Sequence, residues 1–209
     1  MKIGVGVEGI SDFKFWNKVL HKHFPGVRFD IHNMKNCGAL IRETPRLLNL
    51  FRSLQYDAAF ILTDRDKLAH DSTRCPGPVI ALFAKEMQVE ARIPQAKRYL
   101  SICIAIRGLE AWLLADAHAI RSVLPDVIYE MPGKTDGIDA GEQIKGLWRG
   151  QHGKIAFNKF DFAEKIAVPF DPEIARQHSD SFAYFWQRIS EVCLRSAYAN
   201  TEFSDANEQ

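Results

Sequence analysis

Residues Lys2–Trp16 of the chain read KIGVGVEGISDFKFW, a stretch that joins a strand to a helix through two acidic residues. Lys2–Val7 consists mostly of small and β-branched residues, which predicts a buried strand. Glu8 and a glycine end this strand, and apolar residues at helical spacing then predict a helix over residues 12–23. The second acid, Asp12, falls in the first turn of that helix. A strand that ends on one acid and leads to another is a pattern to look for further along the chain.

Two more apolar strands end near acids. Asp57–Asp66 reads DAAFILTDRD, and Tyr99–Ile106 reads YLSICIAI with Glu110 four residues beyond it. Helical patterns separate these strands, and strands that are apolar throughout are typical of a parallel sheet covered by helices on both faces. The sequence therefore predicts an α/β fold with a mostly parallel sheet.

The pattern changes after the first 125 residues. Short helical segments and polar connections follow, ending in a longer helix predicted over residues 180–198. We expect residues 1–125 to form the α/β core with the acidic site. Residues 126–209 are expected to form a helical C-terminal extension packed on that core.

The acids are expected to meet in space. In an open parallel sheet, ligands bind outside the carboxyl ends of the strands, where Glu8, Asp64, Asp66 and Glu110 are predicted to lie. Asp12, one turn into its helix, would face the same point. Like charges repel unless a cation neutralises them, and Mg²⁺ prefers oxygen ligands, as does Mn²⁺. The alternative is that each acid has an ordinary local role, such as a favourable interaction with a helix dipole.

Two lysines are candidate catalytic residues. Lys67 directly follows the acid pair, and Lys154 lies in the glycine-flanked segment GQHGKI. Either ammonium could stabilise the extra negative charge of a phosphoryl group in the transition state. Simple charge balance at the surface is the alternative for both.

Composition limits the classes of function. The chain has 209 residues, of which 46% are hydrophobic, and a net charge of +1. This balance excludes a strongly basic protein that binds nucleic acid through many phosphate contacts, although it allows a nucleic-acid enzyme with a local basic strip. The four cysteines have no CxxC spacing, so we expect neither disulfides nor a zinc site. No signal or membrane-spanning segment is evident, and we expect a cytoplasmic protein. The PGKT sequence at Pro132–Thr135 lacks the first glycine of a P-loop, since position 128 is Ile128.

Several segments resemble known protein families. VEGISD and the later ILTDRD are similar to the Toprim signature of topoisomerases, primases and the overcoming-lysogenisation-defect (OLD) nucleases. Ser101–Ile120, SICIAIRGLEAWLLADAHAI, resembles the Toprim-like proteins of domain-of-unknown-function family 4276. Gly153–Ile189 resembles the C-terminal helices of that family. The chain differs from many of the nucleases in having an aspartate at position 12, where they have glutamate.

The resemblance implies roles for the acidic residues. Glu8 would be a metal ligand or general acid–base, Asp64 and Asp66 would be metal ligands, and Glu110 would complete the site. It also implies an ATPase partner of the ABC or SMC-like kind in an anti-phage defence system. We therefore expect a Mg²⁺-dependent Toprim-type nuclease that hydrolyses DNA or RNA. A regulatory or sensor subunit of such an ATPase, with little catalysis of its own, and a small-molecule phosphohydrolase are the alternatives.

Overall fold

The computed structural model describes residues 1–64, 100–105 and 108–205 of the chain. The strands in these residues are β1 (Lys2–Val7), β2 (Arg28–Asn33), β3 (Ala58–Asp64) and β4 (Leu100–Ala105). The helices are α1 (Ile10–His23), α2 (Cys37–Ser53), α3 (Leu109–Leu114), α4 (Ala117–Val123), α5 (Ala140–His152), α6 (Lys159–Ile166), α7 (Pro172–His178) and α8 (Asp180–Asp205). The sequence also predicts a helix over residues 79–91, and this segment lies outside the described residues.

The four strands form one sheet in the order β2-β1-β3-β4, and every neighbouring pair is parallel. The predicted α/β class, with a parallel sheet flanked by helices, is confirmed. The chain moves from β1 to one side of the sheet and later from β3 to the other side. The gap between β1 and β3 is therefore the switch point of the topology, where ligands bind in open α/β sheets.

Helix α2 differs from its prediction. The sequence pattern by itself predicts a helix over residues 40–54, with Pro45 in its first turn or breaking it, whereas the helix begins at Cys37 and continues through Pro45. The proline removes one backbone hydrogen bond, and the packing of buried side chains on both sides of it, Leu40 and Leu48 among them, outweighs that loss. The buried Phe51 ring lies over Gly4 of β1, where a Cβ atom would be 2.3 Å from a ring carbon. The absence of a side chain at Gly4 thus allows α2 to approach the sheet closely.

The C-terminal helices share the hydrophobic core of the sheet. One continuous cluster of buried residues runs from Ile3 to Cys193 and includes residues on both sides of position 125. Aromatic rings form its centre: Trp16 of α1 lies 4.8 Å from Phe185 of α8, and Trp112 of α3 stacks on Phe185 at 5.5 Å. The boundary between residues 1–125 and 126–209 stays a prediction, because no break in packing marks it.

Two expectations concern cysteines and membranes. Cys103 and Cys193 are buried and are not in disulfide bonds, as predicted. Cys75 and the side chain of Cys37 lie outside the described part of the structure. Among the helices of the described residues, none combines the length and apolarity needed to cross a lipid bilayer.

Candidate active site

Glu8 is held at the switch point by residues of the neighbouring strand. Its carboxylate is 7% exposed and accepts hydrogen bonds from the Thr63 hydroxyl and, at 2.9 Å, from the backbone N–H of Asp64. The register explains this contact, because Val7 pairs with Leu62 and the next residues of the two strands therefore lie side by side. Glu8 and Asp64 are thus brought together by the pairing of β1 with β3.

Asp12 joins Glu8 from the first turn of α1. Its side chain is 9% exposed, and its Oδ2 atom lies 3.3 Å from the position that a Cβ atom on Gly9 would occupy. The carboxylate therefore folds back towards the β1–α1 turn, as the sequence predicted. An acid at this position also interacts favourably with the positive end of the helix dipole.

Glu110 reaches the site from the first turn of α3, the helix that follows β4. Gly108, the N-cap of α3, has a φ of +83°, a conformation that favours glycine. A Cβ atom on Gly108 would lie 3.1 Å from Glu110 Oε2 and 3.2 Å from Asp64 Oδ2. The two carboxylates thus flank the same glycine, and the lack of a side chain there leaves room for both.

A lysine from the C-terminal extension completes the cluster. Lys159 is the first residue of α6, and its ammonium group lies 2.7 Å from Glu110 Oε1. Helix α6 packs along α1, where Glu164 accepts an ion pair from Lys14 at 2.8 Å and another from Lys18 at 3.3 Å. These contacts fix the helix that carries Lys159 against the helix that carries Asp12.

The electrostatics of the cluster reflect an excess of acids. Burial raises the pKa of Asp12 to about 7; the Lys159 ammonium opposes this rise, and the charges of Glu8 and Glu110 add to it. Burial, with repulsion from Asp12 and Glu8, holds the pKa of Asp64 well above its usual value. Burial also disfavours the charged form of Lys159, but attraction to Glu110, Asp12 and Asp64 outweighs it and raises the pKa. Among the residues that the structure describes, four carboxylates therefore share one ammonium, and a further cation would be favourable here.

The donor atoms suit a hard divalent cation, but their arrangement is incomplete. Carboxylate oxygens are the ligands that Mg²⁺ and Mn²⁺ prefer. Among the residues that the structure describes, however, no three Asp, Glu, His or Cys side chains form a group that could hold a metal ion. The chemistry of the carboxylates thus fits such an ion, whereas the described side chains are not arranged around a position that an ion could occupy.

The remaining predicted site residues lie elsewhere. Asp66 and Lys67 fall within residues 65–99, outside the described residues. Lys154 is exposed in the turn after α5 and makes no ion pair within 4.0 Å to any carboxylate that the structure describes. The structure therefore brings together Glu8, Asp12, Asp64 and Glu110, and does not bring Lys154 into contact with them.

Sequence reasoning missed Lys159 and Thr63. Lys159 is five residues from Lys154 in the same segment, and it is Lys159 that contacts the acids, while the role of Lys154 stays a prediction. One signal could have distinguished them: a lysine in the first turn of a helix opposes the helix dipole, which favours a nearby acid to offset it. Thr63 was overlooked because a threonine near the end of a strand is ordinary.

One protein family matches most of the chain. Residues 7–190 match a family described as a domain of unknown function, DUF4276. The chain belongs to the DUF4276 family. The matched range of this DUF4276 protein includes Glu8, Asp12, Asp64, Glu110 and Lys159.

Two solved structures are similar to the DUF4276 chain. One is the C-terminal region of an OLD protein from Xanthomonas campestris pv. campestris, with 15% identity, 93% of this chain and 97% of that chain covered, and a TM-score of 0.41. The other is the C-terminal region of the Burkholderia pseudomallei OLD protein, with 12% identity, 87% and 95% covered, and a TM-score of 0.41. At these values the similarity assigns no activity to the DUF4276 chain. None of the curated proteins matches it.

Proposed function

We propose that the chain is a metal-dependent nuclease that hydrolyses phosphodiester bonds in DNA or RNA. The observation that carries the proposal is the meeting of four carboxylates, from the ends of β1 and β3 and the first turns of α1 and α3, at the switch point of a parallel sheet. Glu8, Asp12, Asp64 and Glu110 do not surround a metal position by themselves, so Asp66, which lies outside the described residues, would have to join them as a ligand. When bound, a divalent ion supplies Lewis acidity at a phosphoryl oxygen and neutralises charge.

The protein side chains have separate tasks in this proposal. Glu8 is kept oriented by its hydrogen bonds from Thr63 and the Asp64 N–H, so it can hold or accept a proton at a fixed position. Lys159 carries a positive charge beside the acids and would stabilise negative charge that develops on the phosphoryl group. Its ion pair with Glu110 keeps it aimed at the cluster before substrate arrives.

One observation favours a second function. Lys159 already neutralises part of the acidic charge, and no described group of three acids surrounds a metal position. A regulatory or sensor subunit of an ABC or SMC-like ATPase, with little catalysis of its own, would keep this fold without needing a filled metal site. The ATPase partner and a role in anti-phage defence remain proposals based on family resemblance.

The test is a cleavage assay. The wild-type protein, with and without a co-encoded ATPase, is incubated with plasmid, single-stranded DNA and tRNA in Mg²⁺ or Mn²⁺. We expect cleavage that a chelator abolishes and that Asp64→Asn reduces by at least ~10²-fold. We also expect millimolar metal to raise the melting temperature of the wild type, since a ligand that binds only the folded state stabilises it.

A matched control is Asp180→Asn. Asp180 is exposed and pairs with Lys134 at 2.8 Å, away from the acid cluster in the chain, so its loss should leave cleavage unchanged. Cleavage that persists in Asp64→Asn would identify a contaminant and contradict the proposal. A wild-type protein that cleaves none of the substrates with either metal, but binds the ATPase, would establish the regulatory function instead.

A further inference from the structure

One large aromatic side chain in the first turn of α6 does not pack in the hydrophobic core. Phe160, the second residue of α6, is 47% exposed. The other aromatic residues of this region pack inward: Phe162 is 1% exposed and Trp148 is 7% exposed. Phe157 lies between them, with ring centroids 5.6 Å from each. Phe160 therefore differs from its neighbours in presenting its ring to solvent.

The position of Phe160 is tied to the acid cluster. It directly follows Lys159, whose ammonium lies 2.7 Å from Glu110 Oε1, and consecutive Cα atoms are about 3.8 Å apart. Its backbone N–H donates to Asn158 Oδ1 at 3.0 Å, which fixes the start of the helix. A single exposed apolar residue is ordinary at a protein surface, but this one directly follows, in the chain, the lysine that pairs with Glu110.

The neighbouring helix confirms that this end of α6 is near the site. Lys14 of α1 reaches both Asp161, at 4.0 Å, and Glu164, at 2.8 Å. Asp161 is the residue after Phe160, and Lys14 is two residues after Asp12. The first turns of α1 and α6 therefore lie side by side, and Phe160 belongs to the turn of α6 that carries Lys159 to the acid cluster.

The net charge of the protein favours a role for the Phe160 ring in binding. A net charge of +1 gives the protein little overall attraction for phosphates, so contacts with the bases would add to the affinity that a local basic strip provides. Stacking of a base on an aromatic ring adds affinity, and it does not depend on sequence because every base has a flat face. In a duplex, both faces of a base are covered by its neighbours, so only an unpaired base can use such a ring.

We propose that Phe160 stacks an unpaired nucleobase next to the acid cluster, so that the substrate is single-stranded nucleic acid or a single-stranded part of a larger one. This inference rests on the proposed nuclease function. The exposed Lys154, six residues before Phe160, lies in the same segment as a contact for the flanking phosphates.

The test measures binding separately from cleavage. Fluorescence anisotropy in a chelator follows labelled oligothymidylate, alone and annealed to oligoadenylate. Phe160→Ala should weaken single-strand binding by about tenfold to a hundredfold and leave duplex binding unchanged, whereas Phe160→Trp should restore it. The slope of log Kd against log salt should not change, because no phosphate contact is lost.

The control is Tyr184→Ala, which removes another exposed aromatic ring, 42% exposed, from a different helix. Its single-strand binding should equal that of the wild type. The stacking role would be overturned if Phe160→Ala bound single strands as tightly as the wild type, or lost equal affinity for single strands and duplex. It would also be overturned if the only defect of Phe160→Ala were in binding to an ATPase. If stacking is found but no substrate is cleaved, the nuclease proposal fails and the single-strand preference stands.

Discussion

Replacing Asp12 by asparagine should stabilise the protein, and by an amount that depends on pH. Asp12 is almost completely buried, and burial, partly offset by Lys159, raises its pKa from 3.8 to about 7. An asparagine has nearly the same shape and stays neutral at every pH. The variant therefore removes the cost of ionising a carboxyl group in this position.

The sign follows from proton binding. Between about pH 4 and pH 7 the folded protein holds a proton on Asp12 that the unfolded chain has released, so the stability of the wild type falls as pH rises. Each unit of pKa difference corresponds to about 1.4 kcal/mol, so the full effect above pH 7 is about 4 kcal/mol. At about pH 5 only roughly 1.5 kcal/mol has developed.

Urea denaturation in the presence of a chelator measures the effect. The free energy of unfolding of Asp12→Asn should exceed that of the wild type by about 4 kcal/mol near pH 8 and much less near pH 5. Asp180→Asn, which breaks only an exposed ion pair, should change it by less than about 1 kcal/mol at either pH. A gain for Asp12→Asn that is the same at both pH values, or a loss near pH 8, would refute the electrostatic account of the cluster.

Two further predictions concern the site and the core. Glu110→Gln removes the ion-pair partner of Lys159 and one negative ligand, so we expect the proposed nuclease activity to fall by at least ~10²-fold. Retention of full activity would show that Glu110 only stabilises the first turn of its helix. Gly4→Ala places a Cβ atom 2.3 Å from the Phe51 ring and should lower the free energy of unfolding, measured by urea titration, by roughly 1–3 kcal/mol. The control Gly26→Ala, whose Cβ atom would have nothing within 4 Å, should change this free energy by about 0.5 kcal/mol or less. Equal effects of the two variants would contradict the tight packing at Gly4.

The alternation of apolar strands with helices was sufficient to predict the sheet and the acids at its carboxyl edge. Glu8 and Asp64 could be paired in advance because parallel strands bring their ends together whatever the loops do. Glu110 followed from the same rule. The close approach of Glu110 to Asp64 depends in addition on Gly108 having a positive φ, which the sequence only permits.

Other features depend on tertiary packing that sequence patterns do not record. Pro45 is unfavourable within a helix, and only the burial of α2 against β1 and β3 keeps it there. The choice of Lys159 over Lys154 depends on how α6 lies along α1, which is set by ion pairs such as Lys14 with Glu164. Local periodicity contains no information about such long-range contacts.

The distribution of the cluster along the chain has a consequence for synthesis on the ribosome. The four carboxylates are translated by residue 110, but their ammonium partner comes at Lys159, and the core that holds both needs buried residues of α8 from Phe182 to Cys193. Until those residues leave the exit tunnel, the nascent chain has an acidic edge without its lysine and an aromatic centre without its final rings. An interrupted translation product would therefore lack both the lysine and a closed core, and would be a substrate for proteolysis rather than a partly active protein.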